Sequence, residues 1–153
     1  MFRKLSVLAI AAAVALPALS PAAADIETAV DMRKSQFKLY SFNLGVLGGM
    51  AQGEIEYDAE AAQTAADNLY HLTRHDQGRM WPEGSDNASI EGTRALPAIW
   101  DDLEGFANRF SALQDGAAAM QIAAGEGLDT MRGALGGVGG ACQACHQEFR
   151  ASE

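Results

Sequence analysis

The sequence predicts an all-α fold, an up-down-up-down antiparallel four-helix bundle, and three observations carry that prediction. Apolar side chains recur in steps of three and four along four separate stretches. No run of β-branched residues alternates with period two, and no repeat competes. Two of the three connections are short, which makes the helices they join antiparallel neighbours. At 153 residues the chain has room for one domain with a sizeable core.

The elements follow in order. Residues 1–24 read as a secretory leader, with Arg3 and Lys4 as its charged start and Leu5–Leu16 as an apolar stretch too short to span a bilayer. Ala22-Ala23-Ala24 is a small-residue cleavage site, so cleavage is expected after Ala24 and the folded domain over 25–153. Pro17 and Pro21 argue against a buried helix in this stretch. In the first helix Ile26, Val30, Arg33, Phe37, Tyr40 and Leu44 share a face when each residue advances about 100°, and the pattern fades near Gly48, Gly49 and Gly53. The second helix is expected from Asp58 to about Gln77, with Ala62, Ala66, Leu69 and Thr73 inward. Gly53–Tyr57 is the short turn between them. Gly78–Leu96 is a longer polar crossing with Pro82 and Gly84.

A long third helix is expected with Pro97 in its first turn, where a missing N–H costs nothing, and Asp101 and Asp102 near its positive end. Its stripe is Ile99, Leu103, Phe106, Phe110, Leu113, Ala117 and Met120. After the short turn Gly125–Gly127 the fourth helix repeats the spacing with Leu128, Met131, Leu135, Val138, Cys142, Cys145 and Phe149. Both cysteines are therefore expected on a buried stripe.

The chemistry concentrates in GGVGGACQACHQEFR, residues 136–150. On a helix Cys142 and His146 stand one turn apart with Cys145 beside them, so two sulfurs and an imidazole leave nearly the same patch. That patch suits a haem: the thiols add to its two vinyl groups as thioethers and the imidazole reaches its iron, the C-x-x-C-H pattern of c-type attachment. A thioredoxin-like redox pair would need a preceding strand, and structural zinc would need four ligands, whereas His71 and His75 fall on the outward face of the second helix. Gly133, Gly136, Gly137, Gly139 and Gly140 each weaken the helix by about 1 kcal/mol relative to alanine. A covalently held macrocycle packed against them would offset that loss.

The leader, the four helices, VGGACQACHQEFR at the C-terminal end and LPAIWDD at the start of the third helix together resemble the cytochrome c prime family, over essentially all of 25–153. Ordinary small cytochromes c carry the attachment motif near the N-terminus. The resemblance implies a periplasmic bacterial protein with one covalently attached haem c per chain, a five-coordinate iron, and a homodimer formed through the first two helices. It implies Cys142 and Cys145 as thioether sites and His146 as axial ligand. Arg150 would lie near that histidine, Arg33 and Lys34 at the haem edge, Phe37 over the vacant iron face, and Thr93 or Arg94 as a further haem contact from the loop before Pro97. Read from the residues, Arg33 interrupts an apolar face, so its guanidinium either meets an anion such as a haem propionate, pairs with a carboxylate, or extends to water.

The methionines do not supply an evident sixth ligand. Met32 and Met50 are expected to point outward, Met131 shares the histidine's helix, Met80 lies in the long loop and Met120 deep in the third helix. The expected function is binding of nitric oxide and carbon monoxide, electron transfer, or both. A six-coordinate low-spin carrier of the same fold is the alternative, and a haem enzyme, peroxidase or nitric oxide reductase, the more distant one. A peroxidase needs a distal acid–base group that an apolar face does not supply. Trp81 and Trp100 read as packing residues. Removing the leader takes away two basic residues and no acidic one, moving the formal charge from −9 to −11. Such a balance suits neither nucleic acid nor an anionic membrane, and suits a redox partner with a basic surface.

Overall fold

The computed structural model describes residues 21–152, with side chains from Asp25 onward. All but the last four residues of the expected leader lie outside the described residues. The described residues form five helices: α1 (Pro21–Gln52), α2 (Ala59–Leu72), the short α3 (Ala98–Asp101), α4 (Leu103–Ala123) and α5 (Leu128–Phe149). A 3₁₀ turn, Gly78–Met80, interrupts the long crossing. Among the described residues the only β pairing is an isolated bridge between Ala95 and Arg150. The four long helices form the bundle, with α1 on α2, α2 on α4, α4 on α5, and α5 closing back on α1. None is long and apolar enough to cross a membrane.

α1 runs beyond the glycines expected to end it. Gly49 instead makes room for the returning chain: a Cβ there would stand 2.7 Å from the Ile55 side chain, and the Gly49 carbonyl accepts from the Ile55 amide. The stop is Gly53, at φ 78°. The buried stripe of α1 is Val30, Arg33, Gln36, Tyr40, Asn43, Leu47 and Met50. Gln36 and Asn43 are hidden members of it, buried because Gln36 Nε2 donates to the Leu72 carbonyl (2.7 Å) and Asn43 Nδ2 to Leu39 (2.8 Å). An apolar count skips them, and that is why Met50, expected outward, is only 3 % exposed. Phe37, expected on the stripe, is displaced to its flank at 38 %.

α2 ends five residues before Gln77. The Leu72 carbonyl, which the next helical turn would have used, accepts instead from Tyr40 Oη (3.1 Å) and Gln36, and the Thr73 hydroxyl donates to Tyr70 O (2.9 Å). Ala62, Ala66, Leu69 and Thr73 are buried as expected. The expected third helix is split at Asp102 (φ −136°, ψ 69°), whose carboxylate accepts from the Gly105 amide (2.8 Å) and starts α4 afresh. The break throws Leu103 off the buried stripe, leaving it 61 % exposed while Ile99 stays inside.

Leu47, Leu69, Met120, Met131 and Val138 fill the centre, and alanines 62, 66 and 117 let the helices close on it. Gly116 carries the closest approach to another helix's backbone, since a Cβ there would lie 3.2 Å from Val138 Cα on α5. Around Gly133, Gly136, Gly137, Gly139 and Gly140 of α5 a Cβ would meet no packed protein group within 4 Å. At the closed end Tyr57 Oη donates to Ala124 O (2.9 Å) and accepts from the Gly127 amide (3.0 Å), tying the two turns together.

Candidate haem site

α5 is helical through its cysteines, so Cys142, Cys145 and His146 share one end of it, as the spacing requires. Neither sulfur is in a disulfide, and both residues are half-buried. They border different apolar groups: Cys142 packs on the central core, beside Tyr40, whereas Cys145 packs on a second cluster of Ala95, Ile99 and Phe149 walled by Trp81, Trp100 and Phe106. Two free thiols straddling a seam between apolar clusters, with an imidazole at its edge, fit the demands of a flat, apolar, doubly attached macrocycle. Burial raises both thiols, Cys145 to about 11 with Cys142 adding to the effect. His146 is exposed at the rim, and burial of its ring together with Arg94 lowers its pKa. Both causes favour the neutral imidazole, the form that binds a metal.

The long crossing is stitched to this end of α5. Leu96 N donates to Phe149 O (3.0 Å) and Ala151 N to Arg94 O (2.8 Å), which brings Arg94 beside His146. Arg150 Nη1 lies 3.4 Å from His146 Nδ1. Next to Cys145, Arg109 grips Glu148 with two bonds (2.9 and 2.6 Å) and holds that carboxyl below its usual range.

From α1, Arg33 is 3 % exposed. Its donors reach Ser85 Oγ (2.8 Å), the Ser85 carbonyl, Thr93 Oγ1 (2.6 Å) and Met80 O (3.4 Å), and its guanidinium lies 4.7 Å over the Trp81 ring. Arg33 thus finds neutral acceptors on the loop. Burial lowers its pKa to about 10, with Asp86 opposing the shift. Phe37 sits edge-to-face with Tyr40 (5.6 Å) and Trp81 (6.3 Å), and the series continues through Phe106 to Phe149. Arg33, Phe37, Thr93, Arg94, Cys142, Cys145, His146 and Arg150 are therefore gathered at one end of the bundle. Lys34 is turned to solvent, with its ammonium 3.9 Å from Asp31.

Sequence reasoning missed Trp81 and Ser85 as members of this end, because both lie in a polar crossing with no periodicity. It also missed the polar group in which Gln77 Nε2 donates to Tyr40 Oη (2.8 Å). The one available signal was Arg33 on an apolar face, which announced a partner without naming it.

A family model described as Cytochrome C' matches residues 28–150. The chain is 41 % identical to a cytochrome c' of Cereibacter sphaeroides over 89 % of this chain and 91 % of that one, and 42 % identical to a cytochrome c-554 of the same organism over 90 % of each. Among solved structures it resembles cytochrome c' from Rhodobacter spheriodes (TM-score 0.82, 38 % identity, 84 % of this chain and 98 % of that one). It also resembles the nitric oxide complex of a variant cytochrome c prime from Alcaligenes xylosoxidans (TM-score 0.73, 29 % identity, 84 % and 97 %). Sequence match, bundle order and the C-terminal attachment pattern agree, and the chain belongs to the cytochrome c prime family of haem proteins.

Proposed function

We propose that this is a periplasmic haem protein whose single haem c is held covalently by Cys142 and Cys145 and through its iron by His146, with the sixth iron position open to nitric oxide and carbon monoxide. Electron transfer is the companion role. The observation that carries the reading is the pair of free thiols astride the seam between two apolar clusters, one turn from an exposed imidazole. When bound, the haem supplies an iron that changes oxidation state and takes a diatomic ligand. The chain does the rest. Cys142 and Cys145 fix the ring's rotation, His146 presents a neutral nitrogen, and Phe37, Trp81 and Phe106 exclude water. Arg94 and Arg150 place positive charge at the rim. The formal charge, −9 for the whole sequence and −11 without the leader, favours a basic redox partner, and Leu39 and Phe42, 47 % and 73 % exposed on α1, offer the face for a second copy.

Two measurements test this. Replacing Cys142 and Cys145 by alanine should leave the haem extractable by acidic organic solvent, and colour retained on the polypeptide would remove the thioether assignment. The ferrous spectrum should be high-spin. A sharp, split low-spin band would instead favour a six-coordinate carrier. The 3₁₀ turn brings Met80 to this end of the bundle, its carbonyl accepting from Arg33, so Met80→Leu checks that ligand directly.

A further inference from the structure

The crossing between α2 and α3 is tied down at both ends. Gln77 holds its start to Tyr40 on α1, Leu96 bonds its end to Phe149 of α5, and the Arg94 carbonyl accepts from Ala151 just past that helix. Between these anchors Arg33 reaches across from α1 and takes hold of Met80, Ser85 and Thr93. A guanidinium has five N–H groups. Four contacts go to this one segment, and the planar face is covered by Trp81. Both terminal nitrogens of the fork are thereby committed to the crossing. Trp81 is held from its other sides as well, its carbonyl accepting from Trp100 Nε1 (3.3 Å) and its ring edge-to-face with Phe106 at 4.7 Å. Its remaining aromatic neighbour is Phe37.

We infer that Arg33 is a positioning residue that latches the crossing as a lid, holding Trp81 beside Phe37 so that the two rings together obstruct the entry of a diatomic ligand. The inference rests on the open-iron reading above, and it gives Arg33 a role toward the crossing that does not depend on any contact with the haem. It also makes the lid sensitive to the shape of the side chain. Lysine keeps the charge but lacks the planar fork, so it cannot serve Ser85, Thr93 and the Trp81 face at once.

The test uses the full haem-loaded chain and two readouts. Amide hydrogen exchange over residues 78–97 should rise at least tenfold, an opening-equilibrium change of about 1.4 kcal/mol, in Arg33→Lys and in the Ser85→Ala/Thr93→Ala pair, with α4 and α5 unchanged. Carbon monoxide association with the ferrous protein should speed up about tenfold in Trp81→Ala and in both latch variants. Combining Arg33→Lys with Trp81→Ala should add nothing further, because both act on one element, and Trp81→Phe should keep the slow rate. The Ser85/Thr93 pair retains the arginine, so it separates a latch from a propionate partner. If it left exchange unaltered while Arg33→Lys shifted the reduction potential, Arg33 would be a haem contact and the latch would be overturned. A normal rate in Trp81→Ala beside a faster one in Phe37→Ala would overturn the lid and leave the gas-binding reading intact. Failure of the wild-type protein to bind carbon monoxide would remove that reading, and with it the lid's role in ligand entry.

Discussion

A phenyl ring can obstruct a diatomic molecule but cannot donate a hydrogen bond to it, and Phe37 on the flank of α1 offers only that. Bound oxygen gains from a donor, whereas nitric oxide and carbon monoxide tolerate an apolar pocket. The ferrous protein should therefore bind the latter two without forming a stable oxygen complex. Phe37→Ala should speed carbon monoxide association about tenfold, a barrier change of about 1.4 kcal/mol. An unchanged rate with an intact spectrum would place the obstruction elsewhere. Asp67 carries a different kind of residue effect. Its carboxylate accepts from Gln121 Nε2 (2.9 Å) and Gln63 Nε2 (3.0 Å), which hold its pKa below the usual value. A carboxyl depressed in the folded state stabilises above its unfolded pKa and loses that contribution as pH falls through its folded one. The thermal midpoint should drop as pH falls below about 4, and Asp67→Asn should flatten part of that drop when unfolding is followed by far-UV circular dichroism.

Among the elements, α4 and α5 depend on each other most closely, and Gly116 sets how near they come. With Val138 Cα only 3.2 Å from where its Cβ would be, Gly116→Val forces the helices apart and should cost about 1–3 kcal/mol. Gly133 on α5 is the control. Exposed and with open space around it, Gly133→Ala should stabilise by about 1 kcal/mol through helix propensity alone. Chemical denaturation of the two variants checks both signs, and a loss at Gly133 would mean that the glycine face packs against something. Asp102 also matters at this scale. Asp102→Ala removes the cap that starts α4 and should cost about 1 kcal/mol.

For the whole molecule, α1 and α2 present a groove lined by Leu39, Phe42, Asn68, His71 and His75, with Phe42 the most exposed aromatic ring on that side. A second copy laid on this face would cover it, in keeping with the dimer that the family resemblance implies. Sedimentation equilibrium should find a dimer for the native chain and a monomer for Phe42→Glu, since a buried carboxylate without a partner opposes association. A native monomer at micromolar concentration would remove this assignment.

Four helices, their order and the attachment motif could all be read along the chain, because each rests on local periodicity or on contiguous residues. Ala62, Ala66 and Leu69 in α2 and Met131 and Val138 in α5 are buried where a 3.6-residue repeat puts them. Cys142, Cys145 and His146 needed only the knowledge that they share a helix. What the chain could not show were features settled between elements. α2 stops at Leu72 because side chains of α1 take the carbonyl its next turn would use. Met50 is inside because Gln36 and Asn43, polar but bonded, carry the stripe inward. Arg33's partners, Met80, Ser85 and Thr93, lie 47 to 60 residues away in a segment without periodicity. Periodicity reports which face a helix buries, but the partner a buried polar group finds depends on which distant backbone the fold brings within hydrogen-bond reach, and only the packed molecule decides that.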